Sequence, residues 1–285
     1  MPHDNSPHPA SINRDSKDYW NKRAATFTRY ATEDYERWLM DLLSPAIGET
    51  ILDMGCATGT LALPLARAGH HVHACDFAEA MLTILDQRAA AENLPITSHL
   101  LAWDEDWSRA GLGENSVDCA FASRSLMSDH TRSRIAKLDA TARVKAAVVV
   151  PNSLPPSSDP RLLTYLGRKA KRPITVPEVM RALRYLGRIP VTATTNTYRP
   201  MRFNSFDEAR ADLRRLARPE PFTAREQRLF DAYARDHFIE VPAVQPANGL
   251  SNDHSDSPQT QWVLNYPLPV VWTFIGWRTD GSEWE

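Results

Sequence analysis

Only three cysteines occur in the 285 residues, Cys56, Cys75 and Cys119, and no two of them stand at a metal-ligand spacing. A disulfide framework or zinc site is therefore not expected, and their places in or beside short apolar runs suit reduced, buried thiols. No apolar run approaches the roughly 20 residues that a membrane span needs. The opening MPHDNSPHPASINRDS also lacks the apolar segment of a signal peptide. Residues 1–17 read as a mobile tail, and the expected localisation is cytoplasmic, with no membrane partner. Neither charge dominates: 33 Lys and Arg stand against 35 Asp and Glu, a net charge of -2, without a basic block to hold a phosphate backbone. Nucleic acid is not an expected partner.

Against these absences, the apolar residues are well organised. From Tyr19 through Leu43 they recur every three or four positions, as an amphipathic helix pair requires, so 18–48 reads as a helical preface. After Gly48 come short apolar runs separated by helical segments: ETILDMG, TLALPLARAG, HHVHACD, AEAMLTILDQRAAAENL, ITSHLLAW, SVDCAFAS and VKAAVVVP. Strand and helix in alternation predict an α/β fold with a parallel sheet covered on both faces. Runs apolar at every position, such as AAVVV, fit strands buried on both sides. This core is expected over 49–200, with VPEVMRALRYLG as a helix and VTATTNTY as a strand. SFDEARADLRRLA and TAREQRLFDAYARDHF read as helices opened by a Ser or Thr cap. They make 201–266 a helical insertion, with 245–261 as a loop, before PVVWTFIGW forms the last strand within 267–285.

The glycine turn Asp53-Met54-Gly55-Cys56-Ala57-Thr58-Gly59 follows the first strand. In an open parallel sheet the ligand crevice lies at the carboxyl ends of the strands, where strand order reverses. Glycine lets backbone approach a ligand closely, and amides at the following helix start would face an anionic group. An acid precedes the first glycine and the glycines are four apart, which favours a cationic ligand end over a pyrophosphate. Asp76 ends the second run and can accept both hydroxyls of a ribose, with Phe77 and Met81 as apolar surface for a purine. After the third run, Trp103 can stack and Asp104 can accept from an exocyclic amine.

These motifs, in this order, resemble the class I S-adenosylmethionine-dependent methyltransferases from Tyr19 to about Val150 and again at PVVWTFIGW. YWNKRAATF, FASRSL and the closing Trp-rich strand are similar to a microbial subgroup of unknown substrate. The resemblance implies a doubly wound, mostly parallel, seven-stranded Rossmann-like sheet with an N-terminal helical lid and a helical insertion before the last strand. It implies S-adenosylmethionine as cofactor, S-adenosylhomocysteine as product, and in-line methyl transfer to a small-molecule acceptor. Gly55, Cys56, Ala57 and Gly59 are implied as backbone contacts, and Ala57 stands where the family commonly has glycine, a change read as mild. Tyr19, Trp20, Arg23 and Phe27 are implied to close over the cofactor. Ser123, at the end of the fourth strand, would face the transferable methyl. Arg124 beside it would bind substrate or pair with an acid of the N-terminal helices. Asp129, His130 and Tyr198 are candidate bases or orienting groups.

Blander readings compete. Trp107, and Trp103 with it, can pack on the sheet. His70, His71 and His73 would sit alternately on opposite faces of a strand, which argues against a metal. The basic residues Arg161, Arg168, Lys169, Lys171, Arg172, Arg181, Arg184 and Arg188 read as a solvated helix face or as a surface for an anionic partner. Alternatives to the small acceptor are an RNA or protein methyltransferase, a non-catalytic S-adenosylmethionine-binding module, and a nicotinamide dehydrogenase, whose phosphate-cradling glycine pattern is missing.

Overall fold

The computed structural model describes residues 16–27, 33–126, 130–152, 158–169, 176–199, 201–217, 221–242 and 260–284. Most of the N-terminal tail, most of the 245–261 loop, Asp129, Lys171 and Arg172 lie outside these. The chain divides into two compact units, one drawn from 1–150, 176–193 and 274–285, the other from 151–175 and 194–273.

In chain order the elements begin with α1 (Lys17–Arg23), α2 (Glu33–Leu43), β1 (Thr50–Met54), α3 (Ala62–Arg67), β2 (His71–Asp76), α4 (Glu79–Ala91) and β3 (Ile96–Leu100). A 3-10 turn at Trp107–Ala110 leads to β4 (Val117–Ser123), α5 (Thr131–Thr141) and β5 (Ala142–Pro151). After them come α6 (Pro160–Tyr165), α7 (Val176–Tyr185), β6 (Pro190–Tyr198), β7 (Arg202–Phe203), α8 (Phe206–Arg215), α9 (Ala224–His237), β8 (Phe238–Pro242), β9 (Thr260–Leu264) and β10 (Pro269–Arg278).

Seven strands form a mostly parallel sheet in the order β3-β2-β1-β4-β5-β10-β6. The pairs β1–β2, β1–β4, β2–β3 and β4–β5 are parallel. Bonds from Asn152 N to Val271 O and from Thr279 N to Val144 O run β10 antiparallel to β5. Central strands are apolar on both faces because helices cover both, while ITSHL in β3 is polar because β3 is an edge strand. The core of the first unit joins Leu52, Phe121's neighbours Ala120 and Ala122, Val148, Leu183 and Trp277, all buried. Cys56, Cys75 and Cys119 are free and buried, as expected.

The second unit departs from the all-helical expectation for 201–266. Helices α8 and α9 are present, capped by Ser205 and by a reciprocal Thr223–Glu226 box. FIEVP and TQWVL, however, pair as β8 and β9, with Phe238 opposite Leu264, and β7 joins on the far side of β9 to make an antiparallel sheet. Strands this short carry too little alternation to read locally, and they exist because their partners complete them. A further helix, α6, also escaped the sequence reading. Its cap is Asp159, fully buried, which accepts the amides of Arg161 and Leu162 and the hydroxyl of Tyr266.

The glycine turn after β1 is tightly wound. Gly55 and Gly59 have φ of +85° and +86°. A Cβ on Gly55 would lie 2.2 Å from the Ser125 Cβ, and one on Gly59 would lie 2.4 Å from Leu85 Cδ1. The close neighbours of both glycines are thus protein side chains. Ala57 has φ of +48°, in the left-handed region, so it is not the unstrained replacement that the sequence suggested. That conformation costs an L-residue about 1–2 kcal/mol, part of which glycine returns through unfolded-state entropy. Ala57→Gly should therefore stabilise the protein by about 0.5–1 kcal/mol, raising the melting temperature by roughly 1–3 °C. A thermal melt checks this; a lower midpoint would mean that the alanine methyl contributes more by packing than its backbone strain costs.

Candidate functional site

Strand order reverses between β1 and β4, whose neighbours in sequence lie on opposite sides of them, so the crevice belongs at their carboxyl ends. The side chain that organises this region is Asp76, at the end of β2 and buried. Its Oδ2 accepts the amide of Ala57 and its Oδ1 the amide of Ala78, both at 2.9 Å. One carboxylate thus ties the glycine turn to the start of α4, which has no side-chain cap of its own. Burial raises the Asp76 pKa, opposed by the amides of Ala78, Ala57 and Phe77. Helix α4 also grips the turn directly, through Arg88 Nη1 to Thr58 O and Oγ1 at 3.1 and 3.2 Å.

The amides of the turn are engaged inside the protein. Gly55 N and Cys56 N both donate to Cys75 O, Ala57 N to Asp76, and Gly59 N to Cys56 O. These four amides are therefore satisfied within the protein, and at the start of the following helix the Ala62 amide is taken by Asp53. Asp53 places an acceptor at the end of β1. It is buried, one oxygen accepts the Ala62 amide at the start of α3, and Oδ2 is buried without a partner. Burial, together with the Asp76 charge, pushes its carboxyl up to about 8, against the opposing effects of the Ala62 amide and Arg124. A buried acid of this kind suits a cationic group nearby.

The Ser123-Arg124-Ser125 turn after β4 is braced at each residue. Ser123 Oγ and Tyr35 OH share a 2.6 Å hydrogen bond. Arg124 has φ of +61°, donates its amide to Val149 O at 3.0 Å, and places its guanidinium 4.5 Å from the centre of the Tyr35 ring. Ser125 Oγ donates to Met54 O at 2.5 Å, which is why Gly55 must lack a side chain. Tyr35 lies on α2 and is buried; burial raises its pKa, and Arg124 opposes the rise. The structure places Arg124 over the face of Tyr35 and near enough to Asp53 to oppose the rise in that acid's pKa.

Helix α1 packs on the beginning of α4. Asn21 Oδ1 accepts the Ala80 amide at 3.0 Å, and Trp20, Phe27 and Ala57 pack around the buried trio Ala24, Ala78 and Met81. Tyr19 and Trp20 meet edge to face, 5.3 Å between centroids. Met81 is only 1% exposed, so it is committed to these aromatics rather than offered as surface for a purine. Phe77, half-buried, remains available beside Asp76. Arg23 ends α1 in its last turn.

After β3, Trp107 is in the core and donates to Ala102 O at 3.0 Å, the packing role expected of it. Trp103 is half-buried, 5.5 Å from Trp107. Asp104 is exposed and faces Arg134, whose Nη2 lies 3.4 Å from both carboxylate oxygens. Lys137 Nζ donates to the carbonyls of Trp103 and Glu105, each at 2.8 Å, and burial lowers its pKa. With His130 and Ser133, these residues line a cavity of about 290 Å3. Arg134 and Lys137 had no sequence signal, because their partners lie some 30 positions away in the chain.

Other candidates lie apart from this constellation. Tyr198 belongs to the second unit and is exposed at the end of the edge strand β6. The basic residues at 161–188 are divided between the two units. Arg168 pairs with Glu226 at 2.7 Å and Arg188 with Asp139 at 2.8 Å. His70 precedes β2, whereas His71 and His73 share one face of it, and His73 Nδ1 lies 3.0 Å from His99 Nε2. Burial holds His73 down at about 4, so this pair is neutral near pH 7. Among the described residues no group of three or more His, Cys, Asp and Glu side chains is arranged to hold a metal, and no helix is long and apolar enough to cross a membrane.

Known proteins bear on this geometry. A methyltransferase-domain family matches residues 51–146. An uncharacterised protein of Haemophilus influenzae is 31% identical over 127 residues, covering 44% of this chain and 46% of that protein. A demethylmenaquinone methyltransferase of Clavibacter sepedonicus is 43% identical over 51 residues, 18% of this chain and 21% of that one. The chain thus spans about half the length of the first of these curated relatives and about a fifth of the second. Among solved structures, YcgJ of Bacillus subtilis superposes with a TM-score of 0.51 at 11% identity, over 86% of this chain and 98% of that one, a likeness of fold. In its glycine turn, its Asp76 anchor and its sheet order the chain is similar to the class I S-adenosylmethionine-dependent methyltransferases, and a methyltransferase domain is matched at residues 51–146.

Proposed function

We propose that the protein binds S-adenosylmethionine at the carboxyl ends of β1, β2 and β4 and transfers its methyl group to a small-molecule acceptor. The observation that carries the reading is the Asp76 carboxylate, fixed by the Ala57 and Ala78 amides. With three amides on its four lone pairs, the carboxylate keeps one for a ribose hydroxyl. The residues fit the charges of the cofactor as well: the orphaned buried Oδ2 of Asp53 suits the α-ammonium. Phe77 and Trp103 supply flat surfaces for the base, with Asp104 toward its exocyclic amine. Tyr19, Trp20 and Arg23 on α1 close the enclosure from the side of α4.

When bound, S-adenosylmethionine supplies a methyl group activated by its sulfonium charge. The chain's own task is then to align and enclose the acceptor. Alignment alone is worth about 7–11 kcal/mol, and a general base adds roughly a hundred- to ten-thousand-fold, so a base is optional. Tyr35 braces Ser123 and Arg124 at the carboxyl end of β4, and His130 stands just before α5. The near-neutral charge, without a basic block, favours a small acceptor over a polyanion.

Three measurements test this. Asp76→Asn, which keeps the shape but loses the charge, should weaken S-adenosylhomocysteine about ten- to a hundredfold by calorimetry, the loss expected for hydrogen bonds to a charged group. Unchanged affinity would remove Asp76 from the ribose. A second test uses Asp53, whose carboxyl at about 8 is mostly protonated at pH 7 in the free protein. An ammonium beside it lowers that pKa, so binding releases a proton and affinity rises from pH 6 to 8, then levels off. Calorimetry in buffers of different ionisation enthalpy should show close to one proton released at pH 7, and none in Asp53→Asn. Finally, methyl-labelled cofactor incubated with cell extract should place label in the small-molecule fraction. Label in protein or RNA alone would favour a macromolecular acceptor, and no transfer at all would favour a binding module.

A further inference from the structure

Three consecutive residues after β3 are each gripped by the same helix. Lys137 holds the carbonyls of Trp103 and Glu105, while Arg134 faces the carboxylate of Asp104 and sits 5.4 Å from the centre of the Trp103 ring. Three positions apart, the two cations project from one face of α5. The loop is tightened from inside as well, by Ala102 N to Glu105 Oε2 at 2.6 Å and by the Trp107 indole on Ala102 O. As a device for stability this is poorly built: the Asp104 partner is 74% exposed, and ion pairs of that kind add little. Arg134, moreover, is nine-tenths buried and leaves its Nε without a partner, which is itself a cost. What the arrangement does achieve is direction. It fixes one ring and one carboxylate at the lip of the cavity that Arg134, Lys137, His130 and Ser133 complete.

We propose that Arg134 and Lys137 are positioning residues for nucleobase recognition: they hold Trp103 for stacking and Asp104 toward the exocyclic amine of the cofactor's adenine. This rests on the cofactor reading above. Neither residue needs to touch the cofactor. Their effect passes through the 102–107 loop, so they govern the choice of base more than the binding of the amino-acid end.

The test compares S-adenosylhomocysteine with S-inosylhomocysteine, in which an oxygen replaces the exocyclic amine, by calorimetry on the full chain. Wild type should prefer the adenine ligand by about tenfold, the worth of one charge-assisted hydrogen bond. Arg134→Met and Lys137→Met should each lose most of that preference: both ligands weaken as Trp103 stacking is lost, but the adenine ligand weakens more, because it alone carries the amine that Asp104 accepts. Lys137→Arg, which keeps the charge and the donors, should retain the preference and guards against a folding defect. Equal weakening of both ligands in the Met variants would mean a structural role only and overturn the proposal, as would an unchanged preference. Wild type that binds neither ligand would instead bring down the cofactor reading itself.

Discussion

Asp76 joins two turns at the open ends of neighbouring parallel strands, and the geometry of the crevice follows from it. Parallel strands end in turns that have no hairpin partner, so their backbone polar groups must be satisfied by something else. Here a single buried carboxylate receives the Ala57 amide from the turn after β1 and the Ala78 amide from the turn after β2. Desolvation opposes the charge and the amides support it, a balance that keeps Asp76 sensitive to any hydroxyl or cation placed before it.

From that anchor the remaining contacts fall into place. With the Ala57 amide fixed, the turn winds left-handed at three positions, two of them glycine and one alanine. That winding brings Gly55 against Ser125 and Gly59 against Leu85. The turn after β1 is therefore held from both sides, by α4 and by the turn after β4. Strain at Ala57 and at Arg124 persists because surrounding hydrogen bonds over-determine both residues, as is common near ligand sites. The two glycines are required by this packing: a side chain on either would collide with Ser125 or Leu85.

Around this frame the chain places cations with unequal purposes. Arg88, Arg168 and Arg188 close internal contacts with Thr58, Glu226 and Asp139. Arg124 lies on the Tyr35 face in the turn after β4, where the ring quadrupole attracts the guanidinium. The Arg and Lys residues that look like one cluster in sequence thus serve separate ends in the two units.

Much of the first unit was legible in the sequence, because its signals are local. Uniformly apolar runs mark strands buried on both faces, the Asp53–Gly59 pattern marks the turn, and an acid closing the HVHACD strand falls at the neighbouring carboxyl end. Those features fix the class of fold and the ends at which a ligand sits. What the tertiary structure decided was which side chains meet. Tyr35 reaches Ser123 across 88 positions and Lys137 reaches Trp103 across 34, pairings that leave no periodicity to detect. Likewise β8 and β9 are strands only because each completes the other, and Met81 is buried only because α1 lies on α4. Local sequence sets backbone preference through sterics and apolar spacing; long-range contact is set by packing, which a chain can settle only once it has folded.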